Sequence, residues 1–468
     1  MANSLTRDFT TTPTNAKKFT VSFWLKKTNF TSNQIMLCNY GNNGSDDFQI
    51  QLRNDDTLGI LDYKSGSVVA NHETTRKFQD CNSWYHIVIA GDSTQSTAAN
   101  RLRLYVNGLE ETSWASLSSI TQDADFNWNK EQGGTSIGHV IGQSGGGSNI
   151  FQGHLAHIHN VDGIAYAPTT FGETDSTTGE WKPILNPSVT YGNNGWFLKF
   201  ENSGAMGTDS SGNSATFTVA GDLKQSISTP SNTFAHFSFH HNRVGGQSTI
   251  RHAGTEIYHN NDSYTGTITC ATLGMNKGKW YWETKYSTTG GYLSVGFVRN
   301  GGLDSTRNIR QNKELGDGDD ANSWAFKAGN SSGQIVKKIR HNNADAVADM
   351  GVTPAVNDII QCWLDLDNGK AWWGINGTVM NSGSGTGVPN SGTYPHVTFT
   401  VGDEFYIPAV SLFGFNGAPE CQVNFGEGRF ATTEVSSAVA DNGGFGSFEY
   451  SPLSGFYSIC TKNIKTYG

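Results

Sequence analysis

The sequence has few charged residues and no long apolar run, and both shortages exclude classes of protein. Only 16% of its 468 residues are Asp, Glu, Lys or Arg, and the net charge of −9 is spread along the chain without basic runs. We therefore expect no nucleic-acid partner and no membrane insertion. The start, MANSLTRDFTTTP, lacks the apolar segment of a signal peptide, which predicts a soluble protein that is not exported by that route.

Cysteine is also scarce. The six cysteines, at positions 38, 81, 270, 362, 421 and 460, form no C-x-x-C pair. Neither a zinc ribbon nor a disulfide framework follows from this spacing. We expect reduced, mostly buried thiols, which favours assembly in a reducing cytoplasm.

Glycine and aromatic residues, by contrast, are abundant. The chain has 56 Gly, and 12% of its residues are aromatic. Aromatic and β-branched residues favour strands, whereas Gly and Asn favour tight turns, so this composition predicts an all-β protein. The length allows two or three domains, each with its own core.

The stretch CWLDLDNGKAWWGINGT, from Cys362 to Thr378, resembles both the start of a calcium loop and a pair of hairpin turns. An EF-hand loop that starts at Asp365 needs an oxygen ligand at its fifth position and a Glu at its twelfth. Those positions hold Gly369 and Asn376. The stretch therefore does not predict an EF-hand.

The two Asn-Gly pairs of this stretch favour hairpins, since Asn-Gly supplies the positive φ angles of a two-residue type I′ turn. With Asn368-Gly369 as the loop, Leu364 faces Trp373, and the apolar residues collect on one side of the sheet. The opposite face then carries three residues: Trp363, Asp365 and Trp372.

Residues 19–171 contain a series of short alternating segments: FTVSFWLKK, FQIQLRN, WYHIVIAGD, RLRLYVNG and FQGHLAHIHNVDG. In RLRLYVNG, alternate residues from Leu102 to Val106 share one face, and Asn107-Gly108 predicts another hairpin. Their order resembles the laminin G-like, concanavalin A-like domains over about residues 1–185. The resemblance implies a β-sandwich.

Residues 186–250 differ in sequence pattern from the alternating segments before them. The segments TTFGETDSTTGEWKP, YGNNGWFLKFENS and GTDSSGN are similar to a module of structural proteins in tailed bacteriophages. We expect a junction segment packed on the first sandwich. Asp209 within it is either an Asx-type turn residue or a calcium ligand.

Residues 251–430 resemble a SPRY domain, itself a β-sandwich. The matching segments include GKWYWETKY, GYLSVGFV, SWAFKAGN, FYIPAVSLFG and CQVNFGEGRF, together with the hairpin described above. Residues 431–468 are similar to the tails of phage proteins and predict an extended segment docked on the body. The predicted fold class is all-β, with two concanavalin A-like or jelly-roll antiparallel sandwiches in tandem, laminin G-like then SPRY-like, and almost no helix.

The same alternation predicts the residues of the two cores. For the first sandwich these are Trp24, Trp84, Leu104 and Val106. For the second they are Trp280, Phe297, Leu364 and Trp373.

The sequence offers no catalytic residues. It contains no E-x-D-x-x-E run, G-x-S-x-G, Walker loop or H-E-x-x-H, which removes the common hydrolase and phosphate-binding motifs. We expect no enzyme and no cofactor. A glycan depolymerase remains an alternative, because a carboxylate pair assembled from distant loops would be invisible in the sequence.

Histidines provide a further candidate metal site. His157 and His159 are two apart on a predicted strand, a spacing that suits a metal shared between subunits. The alternative is a pair of exposed polar-face residues. His236, His240 and His241 have weaker support, since no third ligand with a recognisable spacing accompanies either group.

Trp363, Asp365 and Trp372 form the candidate ligand-binding face, with Trp372 placed opposite Asp365 by a two-residue loop. Such a face can stack on a sugar, form a subunit contact, or lie under the C-terminal tail. Replacing Trp372 with Ala distinguishes these three hypotheses, because lost stability indicates cover by the protein itself.

The resemblance implies a non-enzymatic virion surface protein of a tailed bacteriophage, with a tail fibre or receptor-binding protein preferred. Alternatives are a capsid decoration or head fibre protein, the depolymerase, and a cytosolic interaction module. Expected partners are other virion proteins and a host cell-surface glycan or protein. We expect a homo-oligomer, with a trimer favoured, on the virion surface after assembly in the host bacterial cytoplasm.

Overall fold

The computed structural model describes residues 3–9, 11–30, 32–41, 44–130, 138–177, 179–243, 248–259, 266–287, 291–299, 314–317, 321–331, 334–414 and 417–468. The side chains of 238–243, 330, 331, 334 and 335 are excepted. The chain divides into two compact units, Met1–Ser231 and Asn232–Gly468. The predicted junction thus splits: residues 186–231 belong to the first unit, and the remainder up to 250 belongs to the second.

The first unit is built from short strands. They are β1 (Ser4–Arg7), β2 (Lys18–Lys27), β3 (Gln34–Gly41), β4 (Asp46–Leu52), β5 (Thr57–Lys64), β6 (Ser67–Lys77), β7 (Tyr85–Asp92), β8 (Leu102–Val106), β9 (Leu109–Glu110), β10 (Trp114–Leu117), β11 (Gly138–Ile141), β12 (Gly153–Asp162), β13 (Gly172–Thr174), β14 (Trp181–Pro183), β15 (Trp196–Leu198) and β16 (Thr218–Ala220). Short 3₁₀ turns occur at Ala98–Asn100 and Pro168–Thr170.

These strands form a sandwich of two antiparallel sheets. Sheet A has the order β10-β6-β5-β4-β3-β11-β1-β16, and sheet B has the order β15-β12-β2-β7-β8-β9. Strands β13 and β14 pair separately. Phe48 and Ile50 of sheet A and Phe23 and Leu104 of sheet B belong to one buried apolar cluster, which is the core of this sandwich.

The predicted core of the first sandwich is half correct. Leu104 and Val106 lie in it, but Trp24 and Trp84 do not, although both are buried. Strand residues alternate between faces, and Phe23 already points inward, so Trp24 points outward and stacks on His86 with ring centroids 4.7 Å apart.

The second unit contains the remaining strands and the described α-helix. They are β17 (Phe237–Arg243), β18 (Ser248–Arg251), β19 (Glu256–His259), β20 (Gly266–Ala271), β21 (Lys279–Tyr286), β22 (Gly291–Arg299), β23 (Ser323–Ser331), β24 (Gln334–His341), β25 (Ala344–Val347), β26 (Ile359–Asp365), β27 (Lys370–Ile375), β28 (Thr378–Val379), β29 (Val397–Thr398), β30 (Tyr406–Gly414), β31 (Glu420–Asn424), β32 (Arg429–Phe430), β33 (Thr433–Glu434), β34 (Val439–Ala440), β35 (Ser447–Phe448) and α1 (Thr461–Tyr467). Further 3₁₀ turns lie at His252–Gly254 and Pro389–Ser391.

Two antiparallel sheets again form the body of this unit. Sheet C has the order β17-β20-β30-β22-β23-β24-β25, and sheet D has the order β18-β19-β31-β21-β26-β27-β28, with β29 paired to β27. The predicted core residues are confirmed, because one buried cluster contains all four: Trp280, Phe297, Leu364 and Trp373.

The hairpin of β26 and β27 differs from the prediction by two residues. Asp365 pairs with Lys370, so the loop has four residues rather than two, and Trp372 faces Trp363 instead of Asp365. A slip of two residues leaves every side chain on its predicted face. The other predicted hairpin, at Asn107-Gly108, has positive φ angles of 49° and 82° and is confirmed as a two-residue turn.

All six cysteines are buried and free, as expected. Within the described ranges, no helix is long and apolar enough to span a membrane.

Candidate functional site

A cleft of about 500 Å³ opens in the first unit, at the side of the sandwich between β1 and β12. The residues that follow β15 and those that follow β16 provide its opposite wall. Apolar side chains line most of it: Leu5, Trp84, Ile141, Phe151, Leu155 and Leu223. Mostly apolar clefts of roughly 300–1,000 Å³ with a few polar groups are typical of ligand sites.

One edge of β12 borders this cleft. β15 pairs with the second half of β12, from Ile158 opposite Leu198 to Asn160 opposite Trp196. The first half, 153–157, lies beyond that ladder and pairs with β2 through residues 153–156. All five of these residues are half-buried and line the cleft.

Unusual backbone geometry marks the point where the β12–β15 ladder ends. His157 has a φ of 46° and Phe200 a φ of 61°, and the register between β12 and β2 shifts between Ala156 and His159. Bulky residues rarely adopt positive φ, at a cost of about 1–3 kcal/mol each, and such residues concentrate at functional sites. The two chain segments therefore separate here at an energetic cost, and their separation leaves the cleft open.

Hydrogen bonds hold the opposite wall in place. The amide of Asn3 donates to the carbonyl of Asp222 at 3.1 Å, and the N–H of Asp222 donates to the Asn3 side chain at 2.7 Å. Gln225 Nε2 also donates to the carbonyl of Phe200 at 2.5 Å. The cleft is thus a fixed feature of the fold, bounded on both sides by structured chain.

The charged side chains of the cleft lie in ion pairs, in a chain that is acidic overall. Lys199, Glu201 and Lys224 line the cleft, two cations against one anion. The Lys199 ammonium lies 3.9 Å from the Glu201 carboxylate, and the Lys224 ammonium lies 2.6 Å from Asp222 outside the lining.

Two buried polar atoms on lining residues lack hydrogen-bond partners among the described residues. They are the indole nitrogen of Trp84 and Nδ1 of His157. Burial lowers the pKa of His157, and the charge of Lys199 lowers it further, which favours the neutral ring. Both atoms are buried, so they belong to the wall of the cleft rather than to its exposed lining.

The metal site predicted at His157 and His159 is not formed. His159 is 2% exposed, stacks on Phe197 with ring centroids 3.8 Å apart, and shares a 2.9 Å hydrogen bond with the Tyr191 hydroxyl. A metal shared between subunits cannot reach a ring enclosed in this way. No group of three His, Cys, Asp or Glu side chains in the described ranges is placed to hold a metal.

The other histidine and calcium candidates serve the fold. His236 is buried and bonds to the Phe237 carbonyl at 2.9 Å, while the side chains of His240 and His241 lie outside the described part of the structure. Asp209 accepts hydrogen bonds from Phe197 N, Ser211 N and Oγ, and Ala215 N. It is therefore a turn residue, with its carboxylate already occupied.

The predicted ligand face, Trp363, Asp365 and Trp372, is buried beneath the C-terminal segment. Trp363 is 1% exposed and Trp372 is fully buried, in a cluster with Tyr281, Phe448 and Phe456. We call this cluster the tail-covered face. Of the three hypotheses made for these tryptophans, cover by the protein itself is the one that the structure bears out.

The indole nitrogens of this face are satisfied by covering chain. Trp363 donates to the carbonyl of Pro452 at 2.8 Å, and Trp372 donates to the carbonyl of Thr393 at 3.0 Å. Neither ring is available to stack on a sugar. The sugar hypothesis for this face is therefore corrected.

Asp365 has a local structural role instead of a ligand-binding one. Its carboxylate accepts hydrogen bonds from the backbone N–H groups of Asp367 and Asn368 and from the Asn368 side chain. Lys279 lies 3.2 Å from the same carboxylate. Asp365 therefore holds the four-residue loop, for which a short acidic side chain is suited.

The sequence analysis missed Glu283, the residue that fixes the tail. Its carboxylate accepts hydrogen bonds from the backbone N–H of Glu449 at 3.0 Å and of Tyr450 at 2.8 Å, from the Tyr281 hydroxyl, and from Asn424. Burial raises the pKa of Glu283 to about 7, although these four donors favour the ionised form. Only the placement of an acid among apolar residues in WYWETKY could have drawn attention to it.

Comparison with protein families identifies the two sandwiches. Residues 4–163 match the family model Laminin_G_3, the concanavalin A-like lectin/glucanases superfamily, and residues 279–427 match the SPRY domain model. The chain therefore carries a concanavalin A-like domain followed by a SPRY domain. The predicted fold class, two β-sandwiches in tandem, is confirmed.

The chain is also similar to solved structures of SPRY domains. The SPRY domain of human HERC1 is 12% identical with a TM-score of 0.27, over 43% of this chain and 99% of that chain. A human SPRY domain is 16% identical with a TM-score of 0.25, over 39% and 94%. The TRIM65 PSpry domain is 13% identical with a TM-score of 0.27, over 41% and 91%. The assignment of the two domains rests on the family models alone.

Proposed function

We propose that this chain is a non-enzymatic binding protein on the surface of a tailed-bacteriophage particle, where it acts as a tail fibre or receptor-binding protein. The virion role is supported by the sequence segments that resemble phage structural proteins between residues 169 and 213 and at the C-terminal end. Its ligand is a glycan or a protein of the host cell surface.

The observation that carries the binding role is the cleft of the first unit. It combines mostly apolar walls with a few polar and charged side chains. A site used only for packing would be filled. Binding of a ligand is the function that this open, mostly apolar cleft supports best.

A homo-oligomer, with a trimer favoured, follows from the same proposal. Particle-bound proteins that bind weakly at each site gain avidity by presenting several sites. Other virion proteins are then the partners that attach the chain to the particle, and the virion surface is its location after assembly in the host cytoplasm. Light scattering of the purified chain tests this part, and a stable monomer contradicts it.

Immunogold labelling of purified particles, with mass spectrometry of their proteins, tests the virion role. We expect label at the tail and the intact chain in the protein list. Label on capsid facets would replace the tail assignment by the capsid decoration or head fibre alternative. Absence of the chain from particles would contradict the proposal and favour a cytosolic interaction module.

An adsorption assay tests the binding role. Purified chain is expected to bind host cells and to reduce adsorption of the phage in proportion to its concentration. Steady release of reducing sugar from host polysaccharide by the same preparation would instead favour the depolymerase alternative.

A further inference from the structure

We infer that the cleft of the first unit binds the hydrocarbon part of an amphiphile, whose polar part stays in water. This inference rests on the proposed use of the cleft for ligand binding and names the chemical class of the group that enters it. Its basis is the chemistry of the lining, in which apolar side chains predominate and the polar side chains are engaged within the protein.

The apolar lining is continuous with the core of the first sandwich. Leu5 and Ile141 belong to the core cluster, and Phe151, Leu155 and Leu223 pack against it. Part of the apolar surface of the cleft is thus an extension of the core. A hydrocarbon group placed there removes apolar surface of both partners from water, which is the main favourable term in binding of this kind.

The amide and hydroxyl side chains of the lining already have partners. Asn3 exchanges two hydrogen bonds with the backbone of Asp222, at 3.1 Å and 2.7 Å, and Gln225 donates to a backbone carbonyl at 2.5 Å. The hydroxyl of Ser226 accepts a hydrogen bond from the N–H of Ser228 at 3.1 Å. A ligand that depends on hydrogen bonds would have to compete with these contacts.

The lysine and glutamate side chains of the lining are paired as well. The Lys199 ammonium lies 3.0 Å from the amide oxygen of Asn186 and 3.9 Å from the Glu201 carboxylate. The Lys224 ammonium lies 2.6 Å from the carboxylate of Asp222. We therefore expect the cleft to favour neither an anionic nor a cationic ligand.

The cost of burying polar groups separates the possible ligands. Every residue of a polypeptide brings a backbone N–H and C=O, and a sugar brings several hydroxyl groups. Each such group costs free energy when it leaves water without a partner. A hydrocarbon group brings none, so it enters this lining without that loss. The volume of about 500 Å³ is within the range of small-ligand sites.

Calorimetric titration of the full chain with primary alcohols tests the inference. Hexanol, octanol and decanol differ only in length, and each added methylene should raise the affinity roughly fourfold, as expected from the transfer free energy of a methylene group. Octanoate and octylammonium should bind within roughly threefold of each other, because the lining favours neither charge. An affinity that is independent of length, or a preference of roughly tenfold for one charge, would overturn the inference.

Two matched variants locate the binding. Ile227 lines the cleft and is 40% exposed, whereas Leu185 is 59% exposed and lies outside it. Ile227→Asp should weaken octanol binding roughly tenfold, since it places a charge beside the hydrocarbon group, and Leu185→Asp should not. Octanol binding that Ile227→Asp leaves intact would contradict the location.

Parallel assays separate this ligand class from others. A glycan array or a random peptide library that binds in a manner abolished by Ile227→Asp, while no alcohol binds, would assign the cleft to sugar or polypeptide and overturn the inference. Flotation with phosphatidylcholine vesicles separates a dispersed amphiphile from a bilayer. We expect no flotation, because a hydrocarbon chain in a bilayer is already out of water. Flotation that Ile227→Asp abolishes would contradict a dispersed ligand.

Failure of the proposed function looks different from failure of this inference. In that case the protein would be absent from particles or would not bind host cells, whatever the alcohol titrations show. Absence of alcohol binding by a protein that is present on particles would overturn the inference alone.

Discussion

The tail-covered face of the second unit and the cleft of the first unit both place tryptophan outside a sandwich core, yet one is closed and the other open. At the covered face, Trp363 and Trp372 donate to the carbonyls of Pro452 and Thr393. In the cleft, the indole nitrogen of Trp84 has no acceptor among the described residues. An aromatic side chain outside the core is therefore not by itself evidence of a binding site. Whether it can contact a ligand depends on whether another segment of the chain covers it.

The two regions also differ in how their backbone groups are used. The tail that covers Tyr281 is bonded to β21, since Tyr281 N donates to the carbonyl of Tyr457 and Tyr457 N donates to that of Lys279. β15, by contrast, pairs with β12 from Ile158 to Asn160 and not along 153–157. The tail thus adds backbone bonds along the strand beneath its rings, whereas the ladder of β12 and β15 is short.

The largest expected difference between the regions is the effect of removing a tryptophan. Trp372→Ala should lower the free energy of unfolding by about 3–5 kcal/mol, because it leaves a cavity in a filled site. Trp84→Ala should cost less, close to about 3 kcal/mol, because the space that it leaves adjoins the open cleft and can relax or fill with water. Urea denaturation of both variants measures the difference, and equal losses would mean that the cleft is as well packed as the covered face.

The next expected effect is a dependence of the free energy of unfolding on pH, caused by Glu283, which binds the tail. Because the folded-state pKa of Glu283 is raised from 4.5 to about 7, protonation favours the folded state. This stabilisation is complete below pH 4.5. As the pH rises from 4.5 to about 7, the free energy of unfolding should fall by about 2–3 kcal/mol. Urea denaturation at a series of pH values measures it.

Glu283→Gln is the control for this pH dependence, because the amide does not titrate. The variant should be less stable than the wild type, since its NH₂ group faces two donors where a carboxylate oxygen stood. The difference in stability between the two proteins should change between pH 4.5 and 7. A difference that is independent of pH would show that Glu283 does not titrate in this range.

A smaller loss of stability is expected when Asp365 is replaced, the residue that the sequence analysis predicted to bind a ligand. Asp365→Ala removes three hydrogen bonds from the loop and one ion pair, and should cost about 1–2 kcal/mol. The exposed Asp403, on the same unit, is the matched control, and Asp403→Ala should stay within about 0.5 kcal/mol. Thermal unfolding compares the two, and an Asp365→Ala variant as stable as the control would argue against the loop role.

The smallest effect on stability is expected in the cleft itself. Ile227→Asp should change the free energy of unfolding by no more than about 0.5 kcal/mol, since the side chain is already 40% exposed. The same variant should nevertheless reduce binding of the chain to host cells, while Leu185→Asp should not. A large loss of stability would place Ile227 among the packed residues and remove the contrast between the two regions.

Local patterns predicted much of the fold because they depend on neighbours in the chain. Alternation predicted that Leu104 and Leu364 point inward, and the Asn-Gly pair at 107–108 predicted a hairpin turn. The face of Trp372 was predicted correctly even with the wrong loop length, since a shift of two residues preserves the face. Trp84 was assigned to the core because sequence alternation does not show which side of a sheet is covered by which segment.

What the sequence by itself determined is the tandem of β-sandwiches, the hairpins and the inward side of the central strands, all of which follow from side-chain periodicity and turn chemistry. Only the tertiary structure decided that residues 447–457 cover the tryptophans of β26 and β27, and that β15 pairs with the second half of β12 alone. These contacts join segments about 40 to 90 residues apart in the chain. Whether they form depends on the balance of burial, backbone bonding and strain across the whole unit, and no short stretch of sequence contains that balance.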